Sequence, residues 1–410
     1  MAMVNPGVSI DETLLTPAPA GDPVTVPLFI GYTLEAQGVT RIETMVPHSV
    51  GSLTEAISLF GRHGTLALAL RHFFDNEGQG CYVLSLGAGA AEDTQRLKAL
   101  VTALQSAQMR EAIAADNHTG LLLAPEISEL NDLALVSGFD AAALWYESWQ
   151  ALLQLCNLGQ QRFALLELPD EPSQAIELAN GLFSAELCQN GAAWWPRLET
   201  RYVADTGEDN AYRLLSPLPA VAAAIQRNAV ERGVWQAPAN IPLAKTLRPA
   251  RNILQSQTLL NQQGVSCNLI RSFPGKGVRL WGCRTLLNDR TTPWRYIQTR
   301  LLANSVESQI GRLARAFMFE PNNALTWMKL KGQVWTWLRQ QWLAGMFYGA
   351  TEEEAFTLGI GLNETMSAED ISAGKMILRV QLALLAPAEF IDINLTLDMR
   401  DGAETALNGS

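Results

Sequence analysis

The chain has 410 residues, more than one hydrophobic core usually serves, and 48% of them are apolar against 17% charged, which excludes a disordered polymer. Its formal charge of −11, with no concentrated Lys/Arg run, argues against a nucleic-acid binder, because neutralising phosphates takes a basic surface. Five cysteines scattered without a C-x-x-C pair suit reduced thiols in a cytoplasm; residues 1–6 have no secretory pattern, and no apolar run approaches the ~20 residues of a spanning helix.

In chain order, Pro6, Pro17, Pro19, Pro23 and Pro27 surround the short apolar alternation Val8, Ile10. Proline fixes φ and cannot donate to a ladder, so residues 1–27 read as an extended arm with at most an edge strand at 7–12. Residues 28–32 then read as the first buried strand. From 53 to about 242 the pattern alternates, with helices over 53–60, 66–74, 92 to about 113 and 141–155, and strands at 82–86, 121–124 and 163–168. Helices between short β runs demand crossovers, hence an α/β layer on a mixed or parallel sheet. Pro169, Pro172, Pro196, Pro217 and Pro219 predict a loop-rich region at about 186–220 and a return to a second unit near 240–250.

The last third reads as α+β. Leu302, Val306, Ile310, Leu313 and Phe317 recur at four, four, three and four residues, a single stripe on a helix over about 301–318. Pro321 interrupts, and a second helix over about 323–345 carries Trp327, Leu330, Val334, Trp337, Leu338 and Trp342 inward, with Lys329, Lys331 and Arg339 directed elsewhere. Strands follow at 356–362, 376–385 and 390–399. In the last, Ile391, Ile393, Leu395, Leu397 and Met399 alternate with Asp392, Asn394, Thr396 and Asp398, the pattern of a half-buried strand that can pair at home or with a neighbour.

Catalytic signals are thin. Gly87-Ala88-Gly89 after a strand has the order of a dinucleotide loop, but the fingerprint's third small residue falls on Glu92, whose charge opposes pyrophosphate. An α/β nucleotide-binding enzyme using this loop is the alternative to the reading below. Gly275-Lys276-Gly277 lacks the Walker spacing and reads as a tight turn. His48, His63, His72 and His118 have no metal spacing and read as surface or capping residues, and no G-x-S-x-G elbow is present. No catalytic, metal or cofactor residue is assigned. Glu352, Glu353 and Glu354 follow Thr351 as a helix start, with Thr351 as N-cap and Glu354 at the capping-box position.

Several blocks together are recognisable. They are Pro-Gly-Val-Ser-Ile-Asp-Glu at 6–12, Phe-Phe-Asp-Asn-Glu-Gly at 73–78 before the strand at 81–84, and Glu-Arg-Gly-Val-Trp-Gln-Ala-Pro-Ala-Asn at 231–240. Phe-Pro-Gly-Lys-Gly-Val-Arg-Leu-Trp-Gly at 273–282 follows, then Trp-Arg-Tyr at 294–296, Phe-Glu-Pro-Asn at 319–322, the block at 349–356 and Pro-Ala-Glu-Phe at 387–390. In this order the chain resembles the contractile tail sheath proteins of phages and phage-tail-like extracellular injection systems, with 231–240 and 273–282 the most specific blocks.

The resemblance implies a discontinuous α/β and α+β fold: an N-terminal linker arm at 1–27, an inserted α/β outer domain at 28–245, a C-terminal sheath core at 246–399 completed by terminal strands, and a polar tail at 400–410. It implies a homo-oligomeric helical sheath or stacked rings around an inner tube protein, meeting baseplate and cap or terminator proteins and sheath paralogues, without nucleic acid, cofactor or direct membrane insertion. Contraction drives the tube through a target envelope, the energy residing in two packings of one polymer. Val8 and Ile10 in the arm and Ile391, Ile393, Leu395 and Leu397 at the far end are the expected strand-exchange residues, joining neighbours by β-augmentation; a strand kept in its own subunit is the alternative. The region at 351–356 is expected near the tube, with Glu352, Glu353 and Glu354 as contacts that hold weakly and release. Room for only one insertion favours a compact sheath of a simple phage tail or a released extracellular particle assembled in the cytoplasm, as main sheath, minor paralogue, or ring beside baseplate or cap.

Overall fold

The computed structural model describes residues 22–33, 42–134, 139–158, 161–181, 183–202, 213–251, 264–289, 291–384 and the backbone of 390–398. The first half supplies strands β1 (Pro27–Gly31), β2 (Pro47–Val50), β3 (Cys81–Ser85), β4 (Leu121–Leu123), β5 (Phe163–Glu167) and β6 (Gly191–Trp195). Next come β7 (Leu198–Thr200), β8 (Arg213–Leu215) and β9 (Thr246–Pro249), a small antiparallel sheet in the order β8-β7-β9, and the hairpin β10 (Asn268–Phe273) and β11 (Gly277–Trp281). The large sheet has the order β11-β10-β6-β5-β4-β1-β3-β2. Its inner pairings, from β10 through β6, β5, β4 and β1 to β3, are parallel, and β11 and β2 close the edges antiparallel.

A parallel sheet needs crossovers, and helices therefore cover both of its faces. On one face, α1 (Leu53–Phe60) and α2 (Thr65–Asp75) pack over Phe29, Val83, Leu121 and Phe163. On the other, α3 (Asp93–Gln105), α4 (Ala107–Ala115) and α5 (Ala141–Cys156) pack over Leu28, Ile30, Leu84 and Leu166. The strands are consequently continuous apolar runs, each residue of β1 and β3 to β6 being buried. The expected helix over 92–113 is two helices: Ser106 is extended and its Oγ accepts from Met109 N at 3.1 Å, a cap that restarts the helix.

Two expectations change. The described part of the region at 186–220, which leaves out 203–212, is largely regular: it contributes β6, buried between β5 and β10, and the start of a helix over Leu218–Arg232 whose residues Leu218 to Gln226 are all buried. Proline misleads there because Pro217 and Pro219 sit at the helix N-terminus, where a missing N–H costs nothing. Residues 268–281, grouped by sequence with the C-terminal unit, extend the large sheet through Asn268↔Trp194 and Leu269↔Trp195. Gly275 and Gly277 form the hairpin turn with φ of +72° and +71°, and Lys276 N donates back to Phe273 O at 3.0 Å.

The chain then runs through α6 (Ile297–Arg315) and α7 (Ala324–Leu343) to β12 (Phe356–Gly359), β13 (Lys375–Ala383) and β14 (Phe390–Asp398), a second antiparallel sheet in that order. Asn323 caps α7, its Oδ1 accepting from Leu325 N and Thr326 N at 3.0 and 3.1 Å. Leu302, Val306 and Ile310 of α6 and Leu330, Val334 and Leu338 of α7 are buried with Met376, Leu378, Val380 and Leu382 of β13, in one core with the α1 and α2 side of the large sheet.

Candidate assembly interface

The terminal-strand candidates fall unevenly. Val8 and Ile10 lie outside the described residues. Ile391, Ile393, Leu395 and Leu397 lie on β14, paired antiparallel with Leu382, Val380, Leu378 and Met376 in turn. Those β13 partners are its buried positions, while Ile377, Arg379 and Gln381 between them are partly or wholly exposed. A one-residue slip would set Asp392, Asn394 and Thr396 opposite the buried row, so the two alternations fix the register. Within a single chain β14 is an edge strand and so is β12; among the described residues neither outer edge has a partner strand.

Beside this sheet the acidic triplet forms the helical turn Glu352–Ala355. Thr351 Oγ1 accepts from Glu354 N at 3.4 Å, the expected N-cap, but Glu354 Oε2 accepts from Ala350 N at 2.8 Å rather than from the N–H of Thr351, so the reciprocal half of the expected capping box is displaced by one residue. Glu352 Oε1 accepts from Arg339 Nε at 2.6 Å, and the Arg339 guanidinium lies 5.4 Å from the centre of the Trp335 ring. Glu353 is exposed.

Sequence reasoning missed the outer side of α7. Leu325, Met328, Trp335 and Leu343 are 40–70% exposed, in register with Gly332 and Arg339 along a single line of the helix. The signal is present as apolar residues on a second stripe, beside the inner stripe that carries Trp327, Trp337 and Trp342. Arg339 links this line to Glu352, so the stripe and the acidic turn share one surface.

Neither protein-family models nor curated proteins give a match. Among solved structures, a protein of the anti-feeding prophage (AFP) baseplate in its contracted state is 64% identical, with 98% of this chain and 100% of that one covered and a TM-score of 0.82. The chain belongs to the sheath family of contractile injection systems. A protein of the AFP helical sheath in its contracted state is 28% identical to this sheath chain over 97% of it and 100% of that protein, with a TM-score of 0.65. The sheath tail protein Lin1278 from Listeria innocua shares the fold at 8% identity, covering 93% and 97%, with a TM-score of 0.61. The role of this sheath chain is that of a structural sheath component.

The other candidate sites of the sheath chain are filled by its own side chains. A Cβ on Gly89 would stand 2.7 Å from Arg96 Cδ and 3.0 Å from Tyr32 Cγ, so side chains occupy the space a pyrophosphate would need. Arg96 is itself bound to Asp93 Oδ1 at 2.6 Å and to Glu129 at 2.5 Å, and Glu92 lies at the helix start, an acidic setting that repels phosphate. His72, expected to be a surface or capping residue, is fully buried against Tyr202, ring centres 5.8 Å apart, and burial pushes it down to about 4, which keeps it neutral. Burial pushes Cys156 and Cys267 up to about 12 and Cys188 to about 11, the direction opposite to an activated thiolate.

Proposed function

We propose that this chain is a sheath subunit that polymerises around an inner tube protein, in the ring next to the baseplate, and repacks on firing so that the tube is driven through a target envelope. The observation that supports the position is the 64% identity to one protein of the AFP baseplate, against 26% to another baseplate protein and 28% to one of the AFP helical sheath, each over nearly the whole chain. Subunits on this reading are joined by exchanged strands. The arm around Val8 and Ile10 and the strand carrying Ile391, Ile393, Leu395 and Leu397 are donated to neighbours. The β13 ladder supports this because a strand from another copy makes the same main-chain bonds as its own β14, and because the outer edges of the three-stranded sheet lie open among the described residues.

The domain plan follows: an arm at 1–27, an outer domain at 28–245 and a sheath core at 246–399, whose hairpin at 268–281 also closes the outer sheet. Exposed Glu353, with the α7 stripe beside it, is the surface offered to the tube, each ion pair contributing little and so releasing readily. Baseplate proteins, sheath paralogues and cap or terminator proteins are the remaining partners, and the work of the stroke comes from two packings of the lattice rather than from enzymatic turnover. Assembly takes place in the cytoplasm, and the product is a released injection particle.

Deletion of residues 1–12 or 388–410 tests strand exchange. Expected are chains with native circular dichroism that form no rings or tubes by negative-stain electron microscopy, alone or with tube protein, whereas the full chain assembles. Ordinary polymers from both truncations would refute the exchange.

A further inference from the structure

Away from the sheet edges, the residues just before β5 and β6 meet α6 around a cavity of about 180 Å³ lined by Arg162, Gln189, Asn190, Arg300, Asn304 and Glu307 among others. Arg162 is 2% exposed and Asn304 1%. Arg162 Nη2 donates to the carbonyls of Ile113, at 2.6 Å, and of Asp116, yet its Nε and Nη1 have no hydrogen-bond partner among the described residues. Asn304 Oδ1 accepts from Arg300 Nε at 2.7 Å, which fixes the amide so that Nδ2 is the end left over, and Nδ2 too has no partner there. All three orphaned groups are donors, and a buried donor without an acceptor bears its full desolvation cost.

Each guanidinium already has one carboxylate near it: Glu307 lies 3.9 Å from Arg300 Nη2 and Asp116 3.5 Å from Arg162 Nη2. Asp116 also accepts through Oδ1 from His118 N at 3.0 Å and through Oδ2 from the Thr119 hydroxyl, and it leaves Arg162 Nε and Nη1 unmet. The charges therefore balance in number, and what the cavity offers is a set of buried donors without an acceptor. The Arg300 guanidinium is held in place 4.8 Å from the Trp294 ring centre. The volume is several times a water's share of ~30 Å³ in the liquid.

We propose that this cavity binds a small oxyanion of the phosphate or carboxylate class, with Arg162, Arg300 and Asn304 as its ligands. The shared chemistry has two sources, a free anion or a carboxylate of an adjoining subunit, and forked guanidinium donors accept either.

The full chain, with its ionic strength held constant by chloride, is titrated with sodium phosphate and with sodium acetate while the thermal midpoint is followed. Expected is a saturating rise with at least one of the two. Asn304→Asp retains Oδ1 for Arg300 and places a fixed carboxylate on the wall of the cavity that Arg162 also lines; its midpoint in chloride should be no lower than that of the wild type and its response to the anion flat. Glu307→Gln, which removes the carboxylate beside Arg300, should lower the half-saturating concentration several-fold. A response that persists on assembly identifies a free anion, and one that vanishes identifies a neighbour's carboxylate; both sustain the site. No rise beyond the chloride control, or an equal rise in wild type and both variants, overturns it.

Discussion

Glu126 and Glu167 are 3% and 2% exposed, and burial is the main reason each is pushed up to about 8. Glu126 Oε1 accepts from Tyr32 N at 2.8 Å while Oε2 has no partner among the described residues; Glu167 holds the Ser216 hydroxyl. A folded value above the unfolded one, 4.5, has a definite sign: the full stability is present below pH 4.5 and is lost as pH rises through 8. Across that window each carboxyl lowers stability by up to about 1.4 kcal/mol per pH unit. Glu126→Gln keeps an oxygen for Tyr32 N and removes the titration. Urea unfolding between pH 5 and pH 8 is expected to show a shallower decline in the variant, which overtakes the wild type near pH 8; parallel declines would contradict the assignment. Little of this was legible in the sequence, because an acid's fate depends on what packs over it. The cap formed by Thr351 and Glu354 was legible, since its partners are three residues apart.

At the scale of elements, legibility follows periodicity. The alternation over 390–399 predicted β14, and the four-four-three-four stripe predicted α6, because each pattern reports burial on one side of a regular structure. Gly-Ala-Ala-Trp-Trp of β6 was missed: it is buried on both faces, so it does not alternate, and it lacks the β-branched residues that mark strands. The β14 ladder also yields a test that separates exchange from simple edge contact. Successive N–H groups of a strand point to opposite edges, so Ile393→Pro and Asn394→Pro each remove a donor, one from the β13 ladder and the other from the outer edge. If β14 is handed to a neighbour's β13 and also bordered by another strand, both substitutions abolish assembly by electron microscopy while thermal unfolding of the body is preserved. Loss through only one of them would mean that a single edge carries the contact, and intact assembly in both would remove β14 from the interface.

At the scale of the molecule, one core runs from the α1 and α2 side of the large sheet into the C-terminal sheet, so the sheath core and the outer layer are coupled by shared side chains. The punctuating prolines suggested a return to a second unit near 240–250, but the chain passes back into the large sheet at β10 before reaching α6. Among the described residues, this continuous packing would carry a displacement of the outer layer to the β13 edge, which suits a lattice that switches between two packings. Where in the particle this happens is open to a direct measurement. A protein specialised for the baseplate ring must match baseplate neighbours on one side and sheath on the other, whereas a helical sheath subunit meets copies of itself on both. The proposed place in that ring rests on the 64% identity to one protein of the AFP baseplate, against 26% to another and 28% to a protein of the AFP helical sheath. Particles carrying an epitope on the exposed surface of this chain, labelled with gold-conjugated antibody, are therefore expected to show one band at the baseplate end. Label spaced along the whole shaft would instead make it the main sheath.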